Sequence, residues 1–312
     1  MIEAQNENLI RSNDPGTAEA YRVCREIARR EAQNFYWAFR VLPRHKSDAM
    51  CAVYAFMRRA DDISDDESKP VETRRIEMAD WLAAWRASRI SPSQDSVFLA
   101  LGDTQRRFDI PGSLLEELVS GTTMDLERSD PATVQTYDTF EDLYRYCYLV
   151  ASVVGLVCIR IFGYSDARAE ALAEETGVAF QLTNILRDVK EDVERNRVYI
   201  PRDLMDEFGG SIEELQQLAH GRTMTERERG MLATLAIRAE KYYVASKKLT
   251  PLLDRDSRAA MWVLVTIYHR LLGRMADRRM EVFSERVSIS TAEKLTILAR
   301  GALMAVRNRV LG

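Results

Sequence analysis

The stretch Gln181–Asp192, QLTNILRDVKED, decides how the rest of the chain is interpreted, because its polar residues recur at the spacing of an α-helix. Asn184, Asp188 and Asp192 stand four residues apart, so a helix with 3.6 residues per turn gathers them on one face. Hard divalent cations such as Mg²⁺ prefer oxygen ligands of this kind and share them with the phosphate oxygens of a substrate. The spacing therefore predicts half of a metal–diphosphate site.

A second stretch, Arg58–Asp66 (RRADDISDD), repeats the arrangement. Asp61 and Asp65 stand four residues apart, and Asp62 is adjacent. Both stretches emerge from apolar runs, where clustered carboxylates repel one another unless a cation neutralises them. The alternative is a solvated acidic face, because like charges at i, i+4 cost a helix only about 0.2–0.5 kcal/mol per pair. Spacing alone leaves both interpretations open.

Hydrophobic periodicity predicts an all-α chain. Apolar residues recur three and four positions apart in ten segments, and no convincing alternating strand is present. Proline and glycine pairs separate these segments, with Ser113 and Ser211 as predicted N-caps. The ten predicted helices are Ala18–Arg30, Lys46–Ser64, Val71–Ala87, Asp95–Phe108, Ser113–Ser120, Phe140–Phe162, Asp166–Asp192, Thr225–Lys248, Arg255–Arg278 and Thr291–Val310.

Three segments of the chain, in order, resemble the motifs of the squalene/phytoene synthase family of head-to-head prenyl transferases, in its bacterial type. YAFMRRADDISDD at Tyr54–Asp66 resembles the first aspartate motif of that family. YCYLVASVVGLV at Tyr146–Val157 resembles its central helix, and FQLTNILRDVKEDVERNRVYIPRDLM at Phe180–Met205 resembles its second aspartate motif. The resemblance implies a single-domain isoprenoid-synthase helical bundle over 18–312 with a central active-site cavity. Residues 1–17 are then expected to form a flexible N-terminal segment.

The resemblance also implies residue roles. Arg58 and Arg187 suit a diphosphate, because a guanidinium presents a planar fork of donors, although each could instead pair with neighbouring aspartates. Ala151 and Gly155 would leave room for a prenyl chain, or else allow close helix packing. The implied metal ligands are Asp61, Asp65, Asn184, Asp188 and Asp192, and the catalytic set is Asp61, Asp62, Asp65, Asp188, Asp192 and Tyr146. The implied substrate-binding residues are Phe35, Tyr54, Arg58, Val150, Ala151, Gly155, Gln181 and Arg187.

The activity that the resemblance implies is a Mg²⁺-dependent condensation of two isoprenoid diphosphates, farnesyl or geranylgeranyl diphosphate, through a cyclopropylcarbinyl diphosphate. The expected product is squalene, hydroxysqualene or phytoene, and several Mg²⁺ ions are expected. NADPH use stays open, because squalene-forming relatives use it without the G-x-G-x-x-G motif that this chain lacks. Two other functions stay open: a catalytically inactive helical assembly or binding protein of the same fold, and a class I terpene cyclase.

Two departures from the family pattern leave the product open. Asn34 precedes Phe35 where the family often has a serine, and this pair is more reminiscent of the branch that forms hydroxysqualene. Met280 and Glu281 precede Val282-Phe283, where the family commonly has a tyrosine ahead of a DVF-like segment.

Composition limits the partners and the location. The net charge is −4 and basic residues are spread along the chain, which argues against nucleic acid. A peripheral membrane contact for product release stays open, and no obligate protein partner is evident. The four cysteines lack CxxC spacing, and residues 1–17 hold no apolar signal region, so a cytoplasmic protein is expected. The near-apolar run Tyr146–Ile159 is shorter than the roughly 20 residues of a spanning helix and predicts a core helix.

One further expectation concerns Val189–Asp203, VKEDVERNRVYIPRD. Its charge density and Pro201 predict that the long helix ends near Asn196 and that Val198–Ile200 are extended. We interpret this segment as a mobile lid over the diphosphate; an ordinary solvated helix terminus is the alternative.

Overall fold

The computed structural model describes residues 15–91, 93–127 and 133–310. These residues form fourteen α-helices, which confirms the predicted fold class. A π-helical segment, Tyr148–Ser152, joins α7 to α8. The helices are α1 Pro15–Glu31, α2 Gln33–Val41, α3 Arg44–Ser64, α4 Val71–Ser88, α5 Ser96–Arg107, α6 Gly112–Glu127, α7 Phe140–Cys147, α8 Val153–Phe162, α9 Arg168–Glu194, α10 Arg202–Glu207, α11 Ile212–Ala219, α12 Glu226–Leu249, α13 Arg258–Asp277 and α14 Thr291–Val310.

All ten predicted helices are present, and most of their ends shift by three residues or fewer. Helix α6 continues seven residues beyond its predicted end, and the π-helical segment interrupts the predicted helix Phe140–Phe162. Sequence periodicity missed α2, α10 and α11, because helices of six to nine residues are too short to show a repeat. Ser211 is the predicted N-cap and forms a capping box with Glu214. Ser113 is not an N-cap, because α6 already begins at Gly112. Residues 15–17, expected in the N-terminal segment, are helical, and residues 1–14 lie outside the described ranges.

Helix α9, which carries the second acidic motif, lies at the centre of the bundle. It packs against α8, α12 and α13 and against the π-helical segment. Its buried residues include Val178, Ala179, Leu182 and Leu186, each 0% exposed. A helix that is apolar around most of its circumference belongs in a core. The acidic motif therefore begins inside the protein and is held there by neighbouring helices.

The backbone of the π-helical segment Tyr148–Ser152 packs closely against two glycines, Gly121 and Gly177. A Cβ on Gly177 of α9 would lie 2.5 Å from the Cα of Ser152, and one on Gly121 of α6 would lie 2.5 Å from the carbonyl oxygen of Leu149. The Ser152 hydroxyl also donates to the Glu174 carbonyl at 2.7 Å. These close approaches bring the central helix, Phe140–Phe162, against α6 and α9.

The central helix Phe140–Phe162 is, among the described residues, the one helix that is long and apolar enough to cross a membrane by length and composition. The sequence analysis predicted a helix with these bounds, but it compared only the near-apolar run Tyr146–Ile159 with the length of a spanning helix. The helix nevertheless packs between α6 and α9, as expected of a core helix of the bundle.

The predicted lid is only partly as expected. Helix α9 ends at Glu194, close to the predicted end, and the chain after Asn196 is non-helical, with a β-bridge between Arg197 and Gln135. Val198 and Ile200, however, are 1% and 0% exposed, and the Val198 N–H donates to the Gln135 carbonyl at 2.8 Å. This packing does not support a mobile lid over residues 197–203, because a lid must be free to leave its position.

Candidate active site

A cavity of about 600 Å³ opens between α3, the central helix, α9 and α13. Its interior is apolar and buried, with Ile159, Phe162, Leu249 and Met261 at 1–4% exposure. Its mouth is polar and includes Arg58 and Asp61 of the first acidic motif and Asn184 and Arg187 of the second. The charged residues of the lining are Glu31, Arg58, Asp61, Arg187, Arg286 and Lys294.

Helical spacing explains why most predicted site residues meet in this cavity. On α3, Tyr54, Arg58 and Asp61 fall on one face, and on α9 Gln181 and Asn184 do the same. The predicted residues that line the cavity are Phe35, Tyr54, Arg58, Asp61, Val150, Ala151, Gly155, Gln181, Asn184 and Arg187. The predicted residues outside its lining are Asp62, Asp65, Tyr146, Asp188 and Asp192.

The first acidic motif lies at the end of α3 and is open to solvent. Asp61 is half-buried and faces the cavity, whereas the side chain of Asp62 is 55% exposed. Arg58 reaches Asp62 at 2.7 Å and Glu31 at 3.9 Å, so the ion pair that we left open as an alternative role is present. Asp65 is exposed and follows the last residue of α3. Of the aspartates of this motif, only Asp61 lines the cavity.

The second acidic motif is held by arginines. The side chain of Asp188 is 20% exposed and accepts hydrogen bonds from Arg187 Nε at 2.7 Å and from Arg286 Nε at 2.8 Å. Asp192, one turn further, is largely buried, and burial together with the negative charge of Asp188 raises the pKa of its carboxyl to about 7. Two arginines therefore neutralise the charge of Asp188 at the cavity mouth. Ionising Asp192, in contrast, costs free energy in the folded protein.

An aromatic wall lines the cavity opposite the central helix. The ring of Tyr268 lies 4.5 Å from that of Phe180 and 5.8 Å from that of Phe35. Burial raises the pKa of Tyr268 to about 12, so its hydroxyl stays protonated at neutral pH. Stacked rings present negative π-faces that can stabilise a cation in a dry site.

Sequence reasoning missed several residues of the lining, among them Phe180, Tyr268, Arg286 and Lys294. Phe180 directly precedes Gln181 in the quoted motif, so its position on α9 was a usable signal. The other three come from α13, α14 and the connection between them, far from both motifs in sequence. No local pattern marks them, because their role depends on which helices pack together.

Tyr146 is a predicted catalytic residue whose position differs from the expected one. It lies outside the cavity lining, is 5% exposed, and donates a hydrogen bond to the Tyr199 hydroxyl at 3.1 Å. The prediction assumed an uninterrupted α-helix from Tyr146 to Gly155. The π-helical segment Tyr148–Ser152 adds a residue to one turn, so residues before it no longer share a face with residues after it.

The position of Gly155 is compatible with both of the roles that the sequence left open. It lines the cavity, and a Cβ at this position would lie 3.1 Å from the carbonyl oxygen of Ala173. A larger residue would therefore meet the backbone of α9 as well as the cavity.

The mouth offers oxygen donors suited to a hard cation, although they are not gathered into a finished site. Among the described residues, no three His, Cys, Asp or Glu side chains form a group that could hold a metal ion. Asn184 Oδ1 is buried and has no hydrogen-bond partner, which costs free energy unless a ligand satisfies it. That unsatisfied oxygen, one helical turn before Asp188, fits a Mg²⁺ ion.

Together, the bundle and its cavity define an α-helical enzyme site that can bind an anionic head group at a polar mouth and an apolar chain behind it. Comparison with known proteins agrees. The squalene/phytoene synthase family model matches residues 28–293. The chain is 36% identical over 290 residues to a phytoene synthase of Mycobacterium tuberculosis, covering 92% of both chains. It is 30% identical over 317 residues to a 15-cis-phytoene synthase of Synechococcus elongatus, covering 98% of both.

A solved dehydrosqualene synthase structure is similar with a TM-score of 0.78 and 27% identity, covering 93% of this chain and 98% of that one. The chain therefore belongs to the squalene/phytoene synthase family and is a prenyl transferase. None of these relatives is named as a terpene cyclase or as a non-catalytic protein.

Proposed function

We propose that the protein condenses two molecules of geranylgeranyl diphosphate head to head, through a cyclopropylcarbinyl diphosphate, to a phytoene-type C40 hydrocarbon in a Mg²⁺-dependent reaction. The observation that carries this proposal is the cavity itself, whose buried apolar interior lies behind a mouth with three arginines, Asp61 of the first acidic motif and Asn184 of the second. The names of the two sequence relatives support the C40 product.

The arginines of the mouth would bind the diphosphate, and the acidic residues together with Asn184 would bind Mg²⁺. Arg58 and Arg187 present charged donors to a diphosphate, and Arg286 joins them from the connection before α14. Asp61, Asn184, Asp188 and Asp192 would hold Mg²⁺, with Asp65 at the end of α3. Bound Mg²⁺ would neutralise the charge that develops on a departing diphosphate.

The cavity interior protects the carbocation that ionisation leaves behind. Ile159, Phe162 and Leu249 offer no nucleophile, and their burial excludes the water that would capture the cation. The faces of Phe35, Phe180 and Tyr268 can stabilise positive charge during the coupling. Each coupling cycle releases two diphosphates. Without an external reductant, the final cation is discharged by loss of a proton, which gives phytoene.

Product analysis tests the proposal. Purified protein is incubated with geranylgeranyl diphosphate or farnesyl diphosphate, with and without NADPH, and the extracted products are identified by mass spectrometry. We expect a C40 hydrocarbon from geranylgeranyl diphosphate, no requirement for NADPH, and loss of product in excess EDTA. A product formed at full rate in EDTA, or no coupled product from either substrate, would contradict it.

The likeness to a dehydrosqualene synthase supports a second candidate, the coupling of two farnesyl diphosphates to a C30 product. The same assay separates the two. A C30 product with little C40 product would establish the second candidate, and a hydrocarbon that forms only with NADPH would indicate squalene.

A further inference from the structure

The last helix, α14, is apolar on both of its sides. Its inner side is buried through Ile297, Leu298 and Ala305, at 1%, 9% and 4% exposure. Its outer side carries a stripe of large apolar residues, Leu295, Leu303 and Val306, that are 53%, 72% and 57% exposed. A surface helix of a globular protein normally carries polar residues on its outer face.

Helical geometry makes this outer stripe continuous. At 100° per residue, Leu295, Ala299, Ala302, Leu303 and Val306 fall within one sector of about 100°. The two alanines between the large residues are exposed as well. We call this set the outer stripe of α14. An exposed apolar surface of this kind marks an interaction site.

The charges beside the outer stripe are basic. Arg300 and Arg307 are exposed at one edge of the stripe, and within the described ranges neither has an ion-pair partner. The acidic residue of α14, Glu293, is already engaged by Arg270 at 2.6 Å and by Arg274 of α13. The outer surface of α14 is therefore cationic, although the whole chain has a net charge of −4.

The stripe also lies beside the entrance to the cavity. Lys294, which contributes to the polar mouth, directly precedes Leu295 at the start of the stripe. Arg286 and Ile289, just before α14, line the same cavity. A surface that covers the stripe would therefore lie next to the cavity mouth.

We infer that the outer stripe of α14 docks the protein on an anionic lipid bilayer, with the apolar residues in the interface and Arg300 and Arg307 on the lipid head groups. Amphipathic helices with basic flanks bind membranes in this way. A second copy of the chain is a poorer occupant, because a symmetric contact through α14 would bring the arginines of both copies together. The inference is independent of the proposed reaction, since docking needs no substrate.

Vesicle sedimentation tests the inference. Full-length protein is mixed with vesicles of phosphatidylcholine alone or with phosphatidylglycerol, and the bound fraction is measured at low and high salt. We expect binding to the anionic vesicles and loss of most of it at 1 M salt. Leu295→Gln with Leu303→Gln should reduce the vesicle partition coefficient at least about tenfold, because two apolar anchors are removed. Arg300→Gln with Arg307→Gln should reduce binding and its salt dependence.

The matched control is Ile76→Gln on α4, since Ile76 is 60% exposed but distant in sequence from α14. Circular dichroism and melting temperature confirm that each variant is folded. Absence of binding to anionic vesicles, or equal binding by the double leucine variant, would overturn the inference. A wild-type dimer that the leucine substitutions dissociate, without vesicle binding, would show that the stripe joins two copies and would overturn it as well.

Discussion

The two acidic motifs have nearly the same spacing but different surroundings. In the first motif, Asp62 and Asp65 lie in solvent at the end of α3, and only Asp61 faces the cavity. In the second motif, Asp188 is clamped between Arg187 and Arg286, on a helix that runs through the core. A single sequence pattern thus gives one open half-site and one that is held in place before any ligand binds.

This difference shows that the spacing of carboxylates along the sequence does not determine their pKa values. An exposed aspartate is hydrated and costs little to ionise, whereas burial and a like charge raise the pKa of Asp192 to about 7. We therefore expect substitutions in the second motif to change both activity and stability, and those in the first motif to change mainly activity.

The largest expected effect is on turnover. Asp188→Asn and Asp61→Asn should each lower the rate at least about 100-fold, because changes to residues that merely orient metal ligands already cost 10–100-fold. Asp62→Asn should cost less than about tenfold, since Asp62 is exposed and outside the cavity lining. Steady-state assays on the three purified variants check this order. Equal loss in all three would show that the first motif acts as a whole.

The next effect is on stability. Gly177→Ala should destabilise the fold by about 1–3 kcal/mol, because its Cβ would lie 2.5 Å from the Cα of Ser152. Gly273→Ala, a helical glycine whose Cβ would meet nothing within 4 Å, is the matched control and should stabilise by about 0.5–1 kcal/mol. Urea unfolding compares the two. Tolerance of Gly177→Ala would mean that α9 is not tightly seated against the π-helical segment.

A smaller effect is expected from Arg286. Arg286→Gln removes one of two arginines on Asp188 and one donor from the mouth, so we expect KM to rise roughly tenfold, as for a lost charged hydrogen bond. Arg278→Gln, which breaks the exposed pair with Glu285, should leave KM unchanged. An unchanged KM in both variants would remove Arg286 from the diphosphate site.

The smallest effect depends on pH and concerns Asp192 in metal-free protein. In the folded protein the pKa of Asp192 lies above its usual value, so between about pH 4 and 7 the folded protein keeps a proton that the unfolded chain releases. The free energy of unfolding therefore falls as the pH rises through that window. Asp192→Asn cannot ionise and should raise the melting temperature by about 2–4 °C at pH 8 but not at pH 4. Asp65→Asn, at an exposed position, is the control. A gain for Asp192→Asn that is equal at both pH values would contradict this explanation.

Much of this site could be predicted from sequence, and the failures have specific physical causes. Tyr54, Arg58 and Asn184 were placed correctly in the cavity because α-helical spacing held across each motif. The position of Tyr146 differs from the expected one because a π-helical turn has no evident local signature in the sequence. Arg286 and Tyr268 were missed because only tertiary packing brings α13 and its neighbours to the motifs.

The predicted lid also differs from the structure for a reason that the local sequence does not show. Charges at Lys190, Glu191 and Glu194 indicated a solvated segment, but they give way within a few residues to the buried Val198 and Ile200. The change from exposed to buried residues within this short segment depends on the neighbouring backbone, because Val198 is hydrogen-bonded to Gln135. The local sequence does not show which part of the chain lies beside it.

The most direct test of the shared site is the binding of a non-ionisable thio-diphosphate analogue of the isoprenoid substrate, measured by titration calorimetry. We expect binding by the wild-type protein with Mg²⁺, at least about tenfold weaker binding in EDTA, and a similar loss in both Asp61→Asn and Asp188→Asn, because each half-site must contribute to holding the cation and the diphosphate. Binding that is unchanged in EDTA, or that survives either substitution at full affinity, would contradict a single metal–diphosphate site built from the two motifs.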